Sequence, residues 1–378
     1  MDEIPFSIPY VSGNERTYID EVFENSHFSG NGPFTKRCQE WLEDHFSCNR
    51  VLLTHSCTAA LEISSLLLDL GPGDEVIVPS FTFVTSASSI MRTGATPVFC
   101  EIDPKTMMID LSDAETRISN RTKAIIPVHY SGFSMNMEEL ISFSTSNNLS
   151  IIEDAAQGLG SSWKGKPLGT FSQLGAVSFH ETKNIHSGLG GCLIVNDDSL
   201  SERAETIWER GTDRGAFFKG LVDKYSWREL GSSFYPSELQ AAFLLSQLEG
   251  FEENIRLRKQ IWSMYDESIS RLENQGRVSI LRPIEGVEHN AHMFAIFLKS
   301  PSDADRVRLA LNEEGIGAVI HYVPLHSSEM GKNLGYGEND LPITMEYSER
   351  LLRLPLHSKI TKSDVDRITN SLSNLLTD

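Results

Sequence analysis

The sequence predicts an α/β fold with a mainly parallel sheet of about seven strands. Short apolar segments alternate with amphipathic helical segments through the first two thirds of the chain, which is typical of a sheet covered by helices. Most of the apolar segments are continuous rather than alternating, as expected for strands buried on both faces. The strand candidates are residues 51–54, 75–79, 96–102, 124–130, 150–155, 176–180 and 191–196.

Helical patterns lie between several of these strands. In the segment 58–74 an apolar stripe recurs at helical spacing, and the glycines and proline at 71–73 predict the end of the helix. The segment 135–148 repeats this arrangement. The stripe of the first helix consists of Ala60, Ile63, Leu67 and Leu70.

The end of the sheet region and the C-terminal part follow a different pattern. Only a short loop separates the last two strand candidates, so an antiparallel pairing is possible there. A long helical stretch begins near residue 237 and leads into a smaller α+β region. We therefore predict a large α/β domain over 1–245, including an N-terminal segment, and a small domain over 246–378.

Composition excludes several classes of function. The formal net charge of −19 argues against binding to nucleic acid or to an anionic membrane through the overall field. The sequence shows neither a signal-peptide pattern nor an apolar run of membrane-spanning length. Five cysteines without a Cys-x-x-Cys pair favour reduced thiols and a cytoplasmic location. No metal site is predicted.

Candidate ligand-binding residues follow the strand ends, where ligands gather in open α/β sheets. After the first strand, Ser56 or Thr58 can cap a helix whose N-terminal N–H groups would favour a phosphate. The alternative is an ordinary helix cap. After the second strand, the ring of Phe83 can stack on a planar ligand; the alternative is a phenylalanine of the core.

The segment after strand 150–155 carries a carboxylate in an apolar context. Asp154 follows two isoleucines, and a carboxylate removed from water needs a cation or strong donors. A protonated pyridine nitrogen would supply such a partner, and Gln157 can donate to an oxygen of the same ring. The alternative for Asp154 is the N-cap of a helix.

Lys183 lies just past strand 176–180, before a run of glycines. An isolated lysine on a loop is normally a solvated surface charge. At a strand end, with a lowered pKa, it can instead form a Schiff base with an aldehyde. Ser178 can contact a phosphate. A phosphate cradle, a stacking ring, a buried aspartate and this lysine together indicate a site for pyridoxal 5'-phosphate (PLP).

The chain resembles the DegT/DnrJ/EryC1/StrS family of sugar aminotransferases over nearly its whole length. The motifs that carry the resemblance are SCTAAL, PSFTFV, EDAAQ, SFHETKN, GLGG and HYVPLH. The resemblance implies a fold-type I PLP-dependent aminotransferase that forms a homodimer with shared active sites. It makes Lys183 the Schiff-base lysine, Asp154 the partner of the pyridine nitrogen, Gln157 the contact of the ring hydroxyl and Phe83 the stacking ring.

The resemblance also implies the remaining contacts. Thr58, Ser178 and the backbone N–H of Ala59 would hold the phosphate. Ser233 stands where many family members carry an asparagine that the partner subunit contributes. The stretch 210–228, otherwise a mixed-charge surface loop, becomes a candidate for binding the nucleotide diphosphate. The predicted substrate contacts are Arg214 and Lys219 in this stretch, with Tyr322 and His326 over the sugar; a structural histidine is an equal alternative for His326.

Further stretches resemble family members that act on one particular sugar nucleotide: FTKRCQEWLE, VDKYSWRELGSS, HNAHMF and ERLLRLPL. They imply transfer of the amino group of L-glutamate to dTDP-4-keto-6-deoxyglucose, giving dTDP-4-amino-4,6-dideoxygalactose for surface polysaccharide. The alternatives are the gluco epimer, another keto sugar, an amino-acid aminotransferase or a non-catalytic regulator. A sugar dehydratase is disfavoured, because those relatives carry histidine where this chain has Lys183.

Overall fold

The computed structural model describes residues 3–377, and its central sheet confirms the α/β prediction. In chain order the strands are β1 (Arg50–Thr54), β2 (Glu75–Pro79), β3 (Thr96–Cys100), β4 (Thr122–Ile125), β5 (Ser150–Asp154), β6 (Ser162–Trp163), β7 (Lys166–Pro167), β8 (Leu174–Ser178), β9 (Gly191–Val195), β10 (Ser279–Ile280), β11 (Val287–Glu288), β12 (Phe294–Phe297) and β13 (Leu351–Leu354). Seven of these strands form the central sheet in the order β1-β9-β8-β5-β4-β2-β3. Only β9 runs antiparallel to its neighbours in this sheet, so the antiparallel pairing of the last two predicted strands is confirmed.

Helices pack on the sheets and connect their strands. Within residues 3–377, none of them combines the length and apolar character that spanning a bilayer requires. In chain order they are α1 (Glu15–Asn25), α2 (Pro33–Phe46), α3 (Cys57–Leu67), α4 (Val84–Met91), α5 (Leu111–Thr116), α6 (Met137–Ser146), α7 (Ser201–Trp208), α8 (Arg214–Phe218), α9 (Glu238–Glu249), α10 (Phe251–Asn274), α11 (Pro301–Glu313), α12 (Glu329–Asn333), α13 (Pro342–Arg350) and α14 (Lys362–Leu375).

Two predicted boundaries were wrong by several residues. The strand predicted to end at 130 ends at Ile125, because Pro127 has no N–H to continue the ladder and the chain turns near Ser131, which has φ 64°. Helix α3 ends at Leu67 rather than at the glycines, because Asp69 adopts a left-handed φ of 51°. Leu70 is nevertheless buried, as its place in the apolar pattern suggested.

The C-terminal part forms its own small sheet. Ser237 and Gln240 make a capping box that starts α9, and α9 and α10 meet at Gly250. Strands β10, β12 and β13 form a three-stranded sheet. Its buried residues, such as Phe294, belong to the same apolar cluster as Ile77 of the central sheet. The division at residue 245 therefore stays a prediction.

The register of the central strands places Thr54, Gly191 and Ser178 side by side at one edge of the sheet. Gly191 of β9 lies opposite Thr54 of β1 on one side and Ser178 of β8 on the other. The next strand, β5, ends at Asp154, which lies opposite Ala176. The carboxyl ends of β1, β8 and β5 thus face the same edge of the sheet, which is the edge where ligands bind in this class of fold.

Candidate active site

The N-terminus of α3 lies directly against the start of β9. A Cβ atom on Gly191 would come within 2.4 Å of the backbone nitrogen of Cys57, so only glycine permits this approach. Ser56 caps the helix, because its Oγ accepts a hydrogen bond from the N–H of Ala59 at 3.1 Å. Thr58 lies half-buried in the first turn, and Ser178 ends the neighbouring strand. These groups fit the predicted phosphate site.

Asp154 is the buried carboxylate of the site, with 4% of its surface exposed. Its Oδ2 accepts a hydrogen bond from Ser86 Oγ at 2.6 Å, and its Oδ1 accepts one from the N–H of Ala156 at 3.1 Å. Burial raises its pKa, while these two donors and the nearby Lys183 oppose the rise. Turns follow β5 rather than a helix, so the alternative of a helix N-cap was wrong.

Gln157 and Phe83 meet at Tyr322. Gln157 Nε2 donates to the Tyr322 hydroxyl at 3.1 Å, and its Oε1 accepts from the N–H of Ser131 at 2.7 Å, so both ends of the amide are fixed. The ring of Phe83 lies 6.2 Å from that of Tyr322 and is 53% exposed, so the alternative of a core phenylalanine was wrong. Burial raises the pKa of Tyr322 to about 12.

Lys183 is half-buried in the turn that follows β8, where its N–H donates to the carbonyl of His180 at 2.8 Å. Burial lowers the pKa of its amine and Arg353 adds to this effect, whereas Cys57 and Asp154 oppose it. Within residues 3–377, its Nζ forms no hydrogen bond or ion pair with the protein. A fully solvated surface charge would not show these features.

A small cavity lies beside Lys183. Lys183, Gln157 and Ser178 all line it, and it measures about 10 Å³. The surrounding donor set fits PLP on three counts. Lys183 offers an amine without a partner for an aldehyde, Asp154 offers a buried carboxylate for a cationic ring nitrogen, and the start of α3 offers N–H groups for a phosphate.

The sequence as a whole matches one family model. Residues 9–373 match the model of the DegT/DnrJ/EryC1/StrS aminotransferase family. The chain belongs to this family. It is accordingly a PLP-dependent aminotransferase of the sugar aminotransferase family, with the mainly parallel seven-stranded sheet of fold type I.

Individual relatives cover almost the full length of the chain. GDP-perosamine synthase of Caulobacter vibrioides is 30% identical, over 100% of this chain and 99% of its own. The spore coat polysaccharide biosynthesis protein SpsC of Bacillus subtilis is 29% identical, over 99% of this chain and 97% of its own. Spr1654 of Streptococcus pneumoniae, described as a candidate sugar aminotransferase and solved in its PLP form, is 27% identical with a TM-score of 0.91, over 99% of both chains.

Two predicted substrate residues of this aminotransferase are engaged in ion pairs. Arg214 in α8 donates to Glu209 at 2.9 Å, and Lys219 donates to Glu205 at 3.0 Å. Lys219 also lines a cavity of about 600 Å³ that none of the predicted cofactor residues lines. Within this one chain, the positive stretch 210–228 therefore lies at a different cavity from Lys183.

Ser233 and His326 differ in their surroundings. Ser233 is exposed and pairs through its backbone with Glu209, so its predicted contact with the cofactor of the partner subunit stays a prediction. His326 is fully buried, with Nδ1 at 2.6 Å from Ser80 Oγ and Nε2 at 3.3 Å from the carbonyl of Glu338. Both of its ring nitrogens are thus engaged inside the protein, which favours the structural alternative.

Sequence reasoning missed several residues of the site. Ser86, which holds Asp154, lies in the first turn of α4, three residues after Phe83. His292 lines the same cavity as Lys183, and Arg353 lies close enough to influence the pKa of Lys183. The stretches HNAHMF and ERLLRLPL contain the last two residues, but neither sequence context indicates which side chain faces the site.

Proposed function

We propose that this aminotransferase moves the amino group of L-glutamate to C4 of a nucleotide-linked 4-keto-6-deoxy sugar. The proposed substrate is dTDP-4-keto-6-deoxyglucose, and the proposed product is dTDP-4-amino-4,6-dideoxygalactose for surface polysaccharide. The observation that carries the proposal is Lys183 at the small cavity between Gln157 and Ser178, within the sequence context of a sugar aminotransferase. The relative named GDP-perosamine synthase supports a nucleotide-linked sugar as substrate.

PLP, when bound, supplies an aldehyde that takes up an amino group and a ring that stores the electrons of a deprotonated carbon. The protein supplies the proton transfers. Nζ of Lys183 accepts the proton from Cα of glutamate in the first half-reaction and returns a proton to C4 of the sugar in the second. The lowered pKa of Lys183 fits this role, because its neutral amine is available at a lower pH than that of an ordinary lysine.

The other residues of the site bind and orient the cofactor and the sugar. The carboxylate of Asp154 would keep a proton on the ring nitrogen of PLP, and Ser86 fixes the direction of that carboxylate. Gln157 would contact the ring hydroxyl, and the exposed ring of Phe83 would cover the pyridine ring.

The phosphate of PLP would be bound by Thr58, Ser178 and the N–H of Ala59, which also donates to Ser56. Tyr322 stands over the sugar and holds the Gln157 amide in place.

Binding of the nucleotide diphosphate involves the second subunit in this proposal. Arg214 and Lys219 are each paired with a glutamate of the same chain. Each can bind a diphosphate either by releasing this glutamate or by contacting the glutamate and the diphosphate together. A homodimer brings the positive stretch and Ser233 of one subunit to the active site of the other. His326 has only a structural role in this proposal, because Ser80 and the carbonyl of Glu338 engage both of its ring nitrogens.

A non-catalytic regulator is the alternative from a different class. Such a protein has no need for a lysine amine without a partner beside a buried carboxylate. Addition of glutamate to the yellow PLP-bound protein distinguishes the two functions, because only an active aminotransferase changes its absorbance. A regulator would leave the spectrum unchanged.

The product distinguishes the proposed activity from its neighbours. The protein is incubated with dTDP-4-keto-6-deoxyglucose and glutamate, and the product is analysed by NMR. We expect an amine in the axial position at C4, with the small H3–H4 coupling of a galacto sugar. An equatorial amine would contradict the galacto assignment, and the absence of any aminated sugar would contradict the substrate. A reaction without glutamate serves as the control.

A further inference from the structure

The side chain of Asn184, next to Lys183, fixes the protonation of a histidine. Its Nδ2 donates to the carbonyl of Asn290 at 2.9 Å, and a carbonyl accepts only, so Oδ1 is the free acceptor of this amide. That oxygen lies 3.1 Å from Nδ1 of His292. Nδ1 must therefore carry the hydrogen, which leaves the lone pair of a neutral imidazole at Nε2.

His292 is held in its neutral form, and its Nε2 is a hydrogen-bond acceptor that no other residue within 3–377 uses. Burial lowers its pKa well below the usual range, and the neighbouring Lys183, Arg258, His321 and Arg353 lower it further. Within residues 3–377, no group donates a hydrogen bond to its Nε2. His292 and Lys183 line the same cavity of about 10 Å³, which is about the space of one water molecule.

The loop that carries His292 is rigidly anchored. The buried Arg258 donates from Nε to the carbonyl of Ala291 at 3.1 Å and from Nη2 to that of His292 at 2.7 Å. Asn290 Nδ2 donates to the carbonyls of Gln157 at 2.7 Å and Leu159 at 2.8 Å. The imidazole is thus held on the same frame as Gln157, which allows it to orient a neighbouring group.

We propose that Nε2 of His292 accepts a hydrogen bond from one water in the shared cavity, which the Lys183 amine also binds, and that this bridge orients the amine whenever it is free and protonated. The proton stays on Nζ, and His292 is a positioning residue. The inference rests on the proposed function of Lys183 and deepens it. A flexible lysine that takes a proton from one carbon and delivers a proton to another needs a fixed acceptor that returns its amine to one position between the two half-reactions.

Two substitutions separate this role from a purely structural one. His292→Asn keeps an N–H near the Nδ1 position, which can still donate to Asn184, but removes the acceptor at Nε2. His292→Gln places an amide oxygen near the Nε2 position and restores an acceptor. The titratable groups that face Lys183 and His292 are the same in both variants; they are Asp154, Cys57, Arg258, His321 and Arg353.

The first readout is the pKa of Lys183 in the apoenzyme. Trace labelling with acetic anhydride across a pH series, followed by mass spectrometry, gives the pKa of this one amine. Loss of an acceptor disfavours the ammonium form, so we expect His292→Asn to lower the pKa by about one unit and His292→Gln to restore it. An unchanged pKa in His292→Asn, or a glutamine variant that behaves like the asparagine variant, would overturn the proposal.

The second readout is the half-reaction of the PLP-bound protein with glutamate. We expect a rate constant about tenfold lower in His292→Asn at unchanged glutamate affinity, with recovery in His292→Gln. A loss of affinity with an unchanged rate constant would contradict a positioning role. Neither readout uses a sugar nucleotide, so failure to aminate the proposed sugar would contradict the proposed function and leave this inference standing.

A third measurement requires no change at His292. Nitrogen-15 NMR of labelled histidine in the apoenzyme reports the environment of Nε2, and Lys183→Met removes the amine that the proposal places beside it. We expect the Nε2 resonance of His292 to shift toward that of an acceptor without a partner, while Nδ1 is unaffected. An unchanged Nε2 resonance would overturn the proposal even if the His292 variants did not fold.

Discussion

Ser86 donates a 2.6 Å hydrogen bond to Oδ2 of Asp154 and thereby joins the first turn of α4 to the end of β5. The same hydroxyl lies 2.8 Å from Oγ1 of Thr82. Because burial raises the pKa of Asp154, each donor to this carboxylate helps to keep it ionised. Ser86 therefore supports the charge that a protonated ring nitrogen requires.

Replacement of Ser86 by alanine tests this support. Asp154 would lose a donor, its pKa would rise further, and the carboxylate would be a poorer partner for a cationic ring. We expect PLP to bind about tenfold more weakly, measured by absorbance titration of the apoenzyme. Ser89→Ala on the same helix is the matched control, because Ser89 is also buried but donates to the carbonyl of Ser86. Equal effects of the two variants would refute the role of Ser86.

Gly191 is expected to tolerate no side chain. A Cβ 2.4 Å from the nitrogen of Cys57 would push the start of α3 away from β9 and widen the phosphate site. We expect Gly191→Ala to weaken PLP binding by about tenfold or more, while the protein stays folded by circular dichroism. In Gly71→Ala the added Cβ meets no atom within 4 Å, so this variant should bind PLP normally. Normal binding by Gly191→Ala would show that the phosphate lies elsewhere.

Tyr322 is expected to act as a neutral phenol across the working pH range. Burial raises its pKa to about 12, so the hydroxyl keeps its proton until the pH approaches that value. Tyr322→Phe keeps the ring beside Phe83 but removes the acceptor for the Gln157 amide. We expect a lower kcat, roughly tenfold, and a pH profile whose basic limb between pH 7 and 10 is unchanged. Loss of a basic limb in this variant would mean that Tyr322 itself titrates in that range.

Replacement of Lys219 by alanine tests the proposed diphosphate contact. The Lys219→Ala variant should have a KM for the sugar nucleotide that is about tenfold higher and an unchanged reaction with glutamate, because glutamate carries no diphosphate. Lys224→Ala removes another positive charge from the same stretch and serves as the control. If both variants raise KM equally, the effect is a general one of charge. If neither does, Lys219 does not contact the nucleotide.

The sheet was predictable because buried strands leave a clear pattern. Most central strands are continuous apolar runs, and such runs can be recognised from the sequence without tertiary information. The two-residue strands β6, β7, β10 and β11 were missed, because two residues carry no periodicity. The early end of α3 depends on a left-handed residue at Asp69, a conformation that sequence patterns indicate weakly outside glycine.

The site was predictable where residues follow strand ends. Asp154 is the last residue of β5, Lys183 lies in the turn that follows β8, and a sheet brings such strand ends together. Ser86 and His292 could not be predicted in this way. Their partners Asp154 and Asn184 lie 68 and 108 positions away in the sequence, so only the packed structure shows these contacts. The roles of Thr58, Ala59 and Ser178 stay predictions.

The central claim is that Lys183 is the residue that binds the cofactor covalently, and one measurement tests it most directly. The PLP-bound protein is reduced with borohydride, digested and mapped by mass spectrometry. We predict a phosphopyridoxyl group on Lys183, on the peptide that contains His180 and Asn184, and neither labelling nor turnover in Lys183→Ala. A label on another lysine, or an active Lys183→Ala variant, would contradict the account.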